Sequence, residues 1–227
     1  MTLLNRISYR IKKYFKIIKV SEEKKKLVKY LPKNPIILEA GAHMGFDTIE
    51  FAKLWKEGRV LAFEPVPDLY KTLEKNTTGF KNISTFPFAL GKENEKSRIY
   101  ISSGASNASS SLLTPKEHRN THPEIIFENS IEVEVVKLDD WVIKNNIERI
   151  DFMWLDMQGY ELNMLRSATN ILKTTLLIET EVNLIENYEG APLYSELKTF
   201  LESQNFEVFE EKLFWKDSGN VLFKKRQ

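Results

Sequence analysis

The strongest constraint on this chain is an alternation that begins at residue 36. Short continuous apolar runs take turns with helical periods, and the first run ends at a glycine. IILEAG (36–41) reads as a buried strand entered through Pro35, and 44–56, with Phe51, Ala52 and Trp55 on one face, reads as a helix. RVLAFEP (59–65) is a second strand stopped by Pro65, and 68–76 is a second helix. NISTFPFALG (82–91) is a third strand in which Pro87 predicts a bulge or a strand end. SRIYIS (97–102) and SIEVEVVKL (130–138) alternate like antiparallel strands. Between them lies a polar stretch with GASNASSS and a Pro/His/Asn-rich segment, too long and polar for a core, which predicts a mobile lid or substrate-facing loop. A helix over 139–146 capped by Asp139, a strand over 149–159, a helix over 160–172, a strand at 175–182, a helix over 193–204 and a closing hairpin complete the chain. Strands alternating with helices predict an α/β doubly wound, mainly parallel sheet, and ligands of such sheets sit outside the carboxyl ends of the strands.

The residues at those ends are therefore the candidates. The first strand runs into Glu39-Ala40-Gly41-Ala42-His43-Met44-Gly45. Gly41 permits a tight turn, and Gly45 allows a ligand to approach the start of the helix, where free N–H groups favour an anionic group. The motif by itself is also compatible with a plain structural turn. Glu64 closes the second strand just before Pro65, 23 residues after Gly41, where a carboxylate can accept hydrogen bonds from both hydroxyls of a ribose. Dehydrogenases use the same device, but Ala42-His43 follow Gly41 and a close third glycine is missing, unlike the G-x-G-x-x-G of a dinucleotide site. The strand 149–159 delivers Asp156 to the same edge, with Gln158 and Gly159 behind it and Glu161 in the next helical turn. Asp156 and Glu161 are candidate proton acceptors, or else acidic groups that stabilise a helix start. His43 is a candidate base or a shape residue. No histidine spacing resembles a zinc site and no metal is expected, although Asp156, Glu161 and Glu179 together could hold a hard cation.

The chain has no cysteine, which excludes disulfides, thiolate metal sites and a cysteine nucleophile. Its net charge of +1 conceals an asymmetry. Residues 1–33 hold eleven lysines and arginines against Glu22 and Glu23, a balance of +9, while the rest carries 22 basic and 30 acidic residues, or −8. Leu4, Ile7, Ile11, Tyr14 and Ile18 recur at helical steps among lysines and arginines, so 1–33 reads as a basic amphipathic extension and 34–227 as the domain proper. Residues 1–20 can meet an anionic membrane or a protein, or pack on the domain itself. A secretory cleavage pattern is missing, which predicts a cytoplasmic protein, with peripheral membrane contact as the variant. A net acidic domain argues against nucleic acid as partner.

EAGAHMG (39–45), AFEPVP (62–67), FALG (88–91), SSSLL (109–113), VKLDDW (136–141), IDFMWLDMQGYELNMLRSA (150–168) and LLIETE (176–181), in this order, resemble the FkbM-family methyltransferases over about residues 36–210. The resemblance implies a class I methyltransferase, Rossmann-like fold of seven strands, mostly parallel with a C-terminal antiparallel hairpin. It further implies S-adenosylmethionine as methyl donor and a hydroxyl of a sugar, glycan or other small molecule as acceptor. By position, Glu39, Gly41, Ala42, His43 and Gly45 would line the methionine end of the cofactor, with Glu64 and Pro65 at the ribose. Asp156, Gln158 and Glu161 would face the reacting methyl. The family usually carries Asp and Asn where this chain has Glu39 and His43. Ser110, Ser111 and Glu179 are expected to touch the acceptor, although serine-rich loops are also commonly just solvated. A nucleotide-binding oxidoreductase and a non-catalytic binding module on the same sheet are the competing readings.

Overall fold

The computed structural model describes residues 19–226. The amphipathic pattern over Leu4–Ile18 lies outside the described residues. The elements are α1 (Glu22–Leu27), β1 (Ile36–Ala40), α2 (Phe46–Leu54), β2 (Arg59–Phe63), α3 (Pro67–Thr77), β3 (Ile83–Phe86), β4 (Ala89–Gly91), β5 (Glu95–Gly104) and α4 (His118–Thr121). They continue with β6 (Ile125–Lys137), α5 (Leu138–Lys144), β7 (Phe152–Leu155), α6 (Glu161–Arg166), β8 (Leu177–Asn183), α7 (Tyr194–Ser203), β9 (Phe206–Lys212) and β10 (Ser218–Lys225).

Seven strands form one sheet in the order β3-β2-β1-β7-β8-β10-β9. The first five are parallel, and the β9–β10 hairpin is antiparallel to β8 and within itself. The chain steps outward from β1 to β3 and then returns to the other side of β1 as β7, so the order reverses between β1 and β7 and a crevice opens at their carboxyl ends. Both faces are covered. Along β1, Leu38 packs in the cluster with Trp141, Leu165 and Ile178, while Ile37 packs against Phe51, Trp55 and Phe152 on the opposite side. That period of two, with apolar residues both ways, is what a continuous apolar run means in a central strand.

Several expectations are corrected. The strand end expected at Pro87 is there, but the run 82–91 is two strands and not one: β3 joins the main sheet and β4 joins a second sheet of order β4-β6-β5, parting at a proline that has no N–H to give to a ladder. Asp139 does not cap α5. Its two carboxylate oxygens accept the N–H groups of Asn170 and Ile171 at 3.0 Å each, so it fixes the turn at Ile171–Lys173 instead. The expected helix 160–172 ends early, at Arg166, before that turn begins. The polar segment after β5 is not merely a solvated loop: Ser109, Ser111 and His118 are all buried, and it includes α4.

The expected boundary at residue 33 also moves. Ser21 caps α1, Leu27 and Leu31 enter the cluster around Phe51 and Phe152, and Lys24 is buried against Asp47 and Glu50 with its ammonium over the rings of Phe51 and Trp154. An aliphatic stem along apolar surface and a head between two carboxylates let a lysine be internal. The basic stretch from Ser21 to Leu31 is thus part of the domain. Among the described residues no helix is long and apolar enough to cross a membrane.

Candidate active site

A cavity of about 250 Å³ opens at the carboxyl ends of β1, β2 and β7. Its floor is the turn after β1. Gly41 and Ala42 both donate to the Phe63 carbonyl, at 3.1 and 2.9 Å, and the left-handed conformations of Gly41, His43 and Gly45 wind the chain sharply into α2. A Cβ on Gly41 would stand 1.9 Å from the Asp156 carbonyl oxygen, so only glycine lets the β1 and β7 ends close together. Gly45 serves another end than expected: its bare Cα faces Leu73 and Thr77 of α3, it does not line the cavity, and its lack of a side chain serves helix packing.

Glu64 lies on the cavity wall and is almost fully buried. Its Oε2 accepts the His43 N–H and its Oε1 the Val66 N–H, both at 2.8 Å, which locks the carboxylate in place. Burial raises its pKa to about 7 despite those two donors, with nearby Asp156 adding to the rise. Pro65 and Ala42 line the same cavity, as does His43, whose ring Nε2 is 2.8 Å from Asn107 Oδ1. Glu39 does not reach it. Its carboxylate is buried beneath α2, takes a 2.6 Å hydrogen bond from Thr48 and has its pKa raised well above the ordinary value by desolvation and by Asp47.

Asp156 and Gln158 stand where β7 ends. Gln158 adopts a left-handed backbone with φ 52° and links several groups. Its amide nitrogen donates to Asp156 Oδ1 at 2.8 Å and to Glu181 Oε2 at 2.7 Å, and its Oε1 accepts the Tyr188 hydroxyl at 2.8 Å. The Ser111 hydroxyl donates to its carbonyl at 2.8 Å. Desolvation raises the pKa of Asp156, and raises that of Glu181 well above the ordinary range with Asp156 as the next cause. Asp156 is open to the cavity and Glu181 is half-buried behind it, so the amide between them holds two carboxylates close together at the strand ends.

The other expected site residues separate. Glu161 is 2 % exposed and turned away from the cavity; its Oε1 accepts the Met157 N–H at 2.7 Å and the Gly159 N–H at 3.3 Å, holding the turn before α6. Glu179 lies one strand period short of the edge, 3.7 Å from Lys212, while Glu181, two residues further along β8, reaches the site. Glu179, Glu181 and Asn183 share one face of β8, so with the strand's end known Glu181 is the carboxylate nearest its mouth. Ser110 lines the cavity, with its hydroxyl accepting the Ser102 N–H at 3.0 Å, and Ser111 is a buried link to Gln158. Asp156, Glu161 and Glu179 therefore do not converge, and among the described residues no group of three or more acidic or histidine side chains is placed to hold a metal. Asp47 and Tyr188 also belong to this region; their positions in the sequence carried no motif that could have marked them.

Residues 39–208 match the methyltransferase FkbM domain. The chain is 30% identical over 162 residues to the 2-O-methyltransferase NoeI of Sinorhizobium fredii, covering 69% of this chain and 67% of that protein. It is 22% identical to the methyltransferase sdnD of Sordaria araneosa, covering 87% and 83%. Its fold is shared with an rRNA methylase from Streptococcus thermophilus, at TM-score 0.51 and 15% identity over 93% of this chain and 99% of that one. It is shared also with Aeropyrum pernix fibrillarin in complex with S-adenosyl-L-methionine, at TM-score 0.52 and 13% identity over 89% and 74%. With the family's domain matched from the end of β1 to the start of β9, this chain belongs to the FkbM family of S-adenosylmethionine-dependent methyltransferases.

Proposed function

We propose that the protein methylates a hydroxyl oxygen of a small-molecule or carbohydrate acceptor, and that the cavity beside Gly41 and Glu64 is where the donor is held. The observation that carries the reading is Glu64: an ionisable group at the cavity wall, fixed through one N–H on each oxygen, with accepting capacity left on both. Two adjacent ribose hydroxyls match that capacity. Phe88, Leu90 and Ile99 give the cavity apolar lining suited to a purine, and the turn Gly41–His43 gives it backbone polar groups suited to the amino-acid portion. S-adenosylmethionine, when bound, supplies a methyl group already activated on a sulfonium, so no nucleophilic residue is required.

What the chain must add is alignment and a place for one proton. Asp156 faces the cavity and is positioned by Gln158, whose own orientation is fixed by Tyr188 and Glu181. In this reading Asp156 takes the proton of the acceptor hydroxyl as oxygen becomes bonded to the methyl carbon, and Gln158 keeps the carboxylate in register. Oxygen as the accepting atom is supported by the similarity to NoeI, named as a 2-O-methyltransferase. The family favours methyl transfer over the hydride transfer that the same sheet supports elsewhere. Calorimetric titration with S-adenosylmethionine, S-adenosylhomocysteine and NADH, followed by transfer of labelled methyl to a set of sugars, tests the reading. Binding of NADH in place of the sulfur compounds, or label found only on nitrogen, would overturn it.

A further inference from the structure

A second cavity, of about 210 Å³, adjoins the first and shares with it Ala108, Asp156 and Gln158. Its remaining wall comes from Ser109, from the end of β8 and the segment after it, from His118 of α4 with His122 just beyond it, from Ile125 at the start of β6, and from the β9–β10 connection up to Ser218. Three features of that wall ask for a ligand. The ring Nδ1 of His118 and the Oδ1 of Asn187 are buried with no hydrogen-bond partner among the described residues, on side chains 6 % and 3 % exposed. Buried polar atoms are almost always satisfied, so two orphans in one cavity wall mark positions that something else completes. Asp217 is held by the Asn187 amide at 3.3 Å and faces His122 Nε2 at 3.1 Å. Trp215, half exposed, stands at the edge as a flat apolar plate.

Resting on the methyl-transfer reading above, we infer that this second cavity is the acceptor site, and that it selects an uncharged ring bearing several hydroxyls, with Trp215, His118 and Asn187 as its specificity residues. The selection follows from the wall's chemistry. Asp156, Glu181 and Asp217 all line it, so it repels phosphate, sulfate and carboxylate groups and offers an excess of acceptors to hydroxyl donors. An aromatic plate covers the C–H face that a saturated ring presents when its hydroxyls lie equatorial. The residues common to both cavities place an acceptor hydroxyl beside Asp156, at the junction where it can face the donor.

The three histidines of the chain provide the readout, because His43 lines the donor cavity whereas His118 and His122 line the second one. The full chain saturated with S-adenosylhomocysteine is titrated with methyl α-glucopyranoside and methyl α-fucopyranoside, and in parallel with glucose 6-phosphate and glucuronate, while the imidazole proton resonances are followed. A neutral glycoside is expected to move the signals of His118 and His122 and leave that of His43, the two anions are expected to move none, and Trp215→Ala is expected to weaken the glycoside at least about tenfold with the affinity for S-adenosylhomocysteine unchanged. Failure of both glycosides to move His118 or His122, an equal response to the anions, or an unaltered affinity in Trp215→Ala would each overturn the inference. Failure of S-adenosylhomocysteine itself to bind would overturn the donor reading instead, so the two outcomes are separable.

Discussion

Gly41 and Asp156 meet through the backbone: the Cα of the glycine lies so close to the carbonyl of the aspartate that a methyl group there would sit 1.9 Å from the oxygen. The contact ties the donor-side turn after β1 to the end of β7, which carries Asp156 and Gln158. Gly41→Ala must therefore push the two strand ends apart as well as strain a backbone at φ +85°. We expect a cost of about 1–3 kcal/mol from the conformation alone, and loss of measurable S-adenosylhomocysteine binding from the displacement. Gly79, at φ +98° with nothing within 4 Å of where a methyl group would stand, isolates the strain: Gly79→Ala should lower the melting temperature and leave binding intact. Equal effects of the two substitutions on binding would refute the role given to the contact.

A second prediction concerns Glu64. Glu64→Ala removes the fixed carboxylate and should weaken donor binding by about 1.5–3 kcal/mol, the usual loss for a hydrogen bond to a charged group. The pH dependence is more diagnostic. With its pKa near 7 in the free protein, the group is mostly protonated at pH 6 and mostly ionised at pH 8. If the ionised form is the one that binds, affinity for S-adenosylhomocysteine rises about tenfold between those values and levels off above. Glu64→Gln should bind more weakly and with this rise removed, as calorimetry at several pH values would reveal.

The sheet was legible because continuous apolar runs and Pro/Gly punctuation report a buried parallel strand directly, and Gly41, Glu64 and Asp156 were legible because they close such runs. What escaped depends on which way a side chain turns. Glu161 follows Asp156 by one helical turn, yet it is directed back onto the N–H groups of Met157 and Gly159. Glu179 and Glu181 differ only by position along β8, and the strand's end had to be known to choose between them. The second sheet pairs β5 with a strand that lies across a long insertion, a non-local contact that no local pattern encodes. Lys24 looked like one more surface lysine of a basic stretch because its carboxylate partners, Asp47 and Glu50, are over twenty residues away.

That lysine yields a third prediction. Removing residues 1–20, which keeps α1 and its ion pairs, should leave donor affinity unchanged, whereas Lys24→Ala leaves Asp47 and Glu50 facing each other in a partly buried recess and should destabilise the domain by about 3 kcal/mol, the low end for breaking a buried pair. Denaturant unfolding of both variants measures this. Marginal loss in Lys24→Ala would return α1 to the status of a surface extension.

A fourth prediction follows from the seat of Glu161. Burial raises its pKa from 4.5 to about 7, so the folded chain holds this proton more tightly than the unfolded one. Stability from this group is accordingly greatest at low pH and is lost as pH rises through the window from about 4.5 to about 7, by up to about 3 kcal/mol. Glu161→Gln keeps an acceptor for the Met157 N–H and carries no charge to bury. Relative to the parent chain it should gain stability at pH 8 and gain little at pH 4, with Glu64 contributing equally to both proteins. Turnover should stay within a few-fold; a fall of a hundredfold would make Glu161 part of the chemistry after all.

The final prediction separates proton transfer from positioning at Asp156. Asp156→Asn keeps the shape and an oxygen that can still accept from the Gln158 amide, so the network with Tyr188 and Glu181 survives. The Glu64 carboxylate is untouched, and donor affinity should hold. An amide cannot take the acceptor's proton, however, and single-turnover methyl transfer at saturating donor should drop by about 10²–10⁴-fold, the range typical of a general base. Gln158→Ala provides the contrast. It leaves the base but frees it to turn, so its loss should be smaller than that of Asp156→Asn, and it should shift the pH at which the rate is half maximal, because the amide hydrogen bond that lowers the Asp156 pKa is gone. If Asp156→Asn reacts within a few-fold of the parent chain while Gln158→Ala loses most of the rate, the proton leaves by another route, and Glu181, joined to the same amide, becomes the group to substitute next.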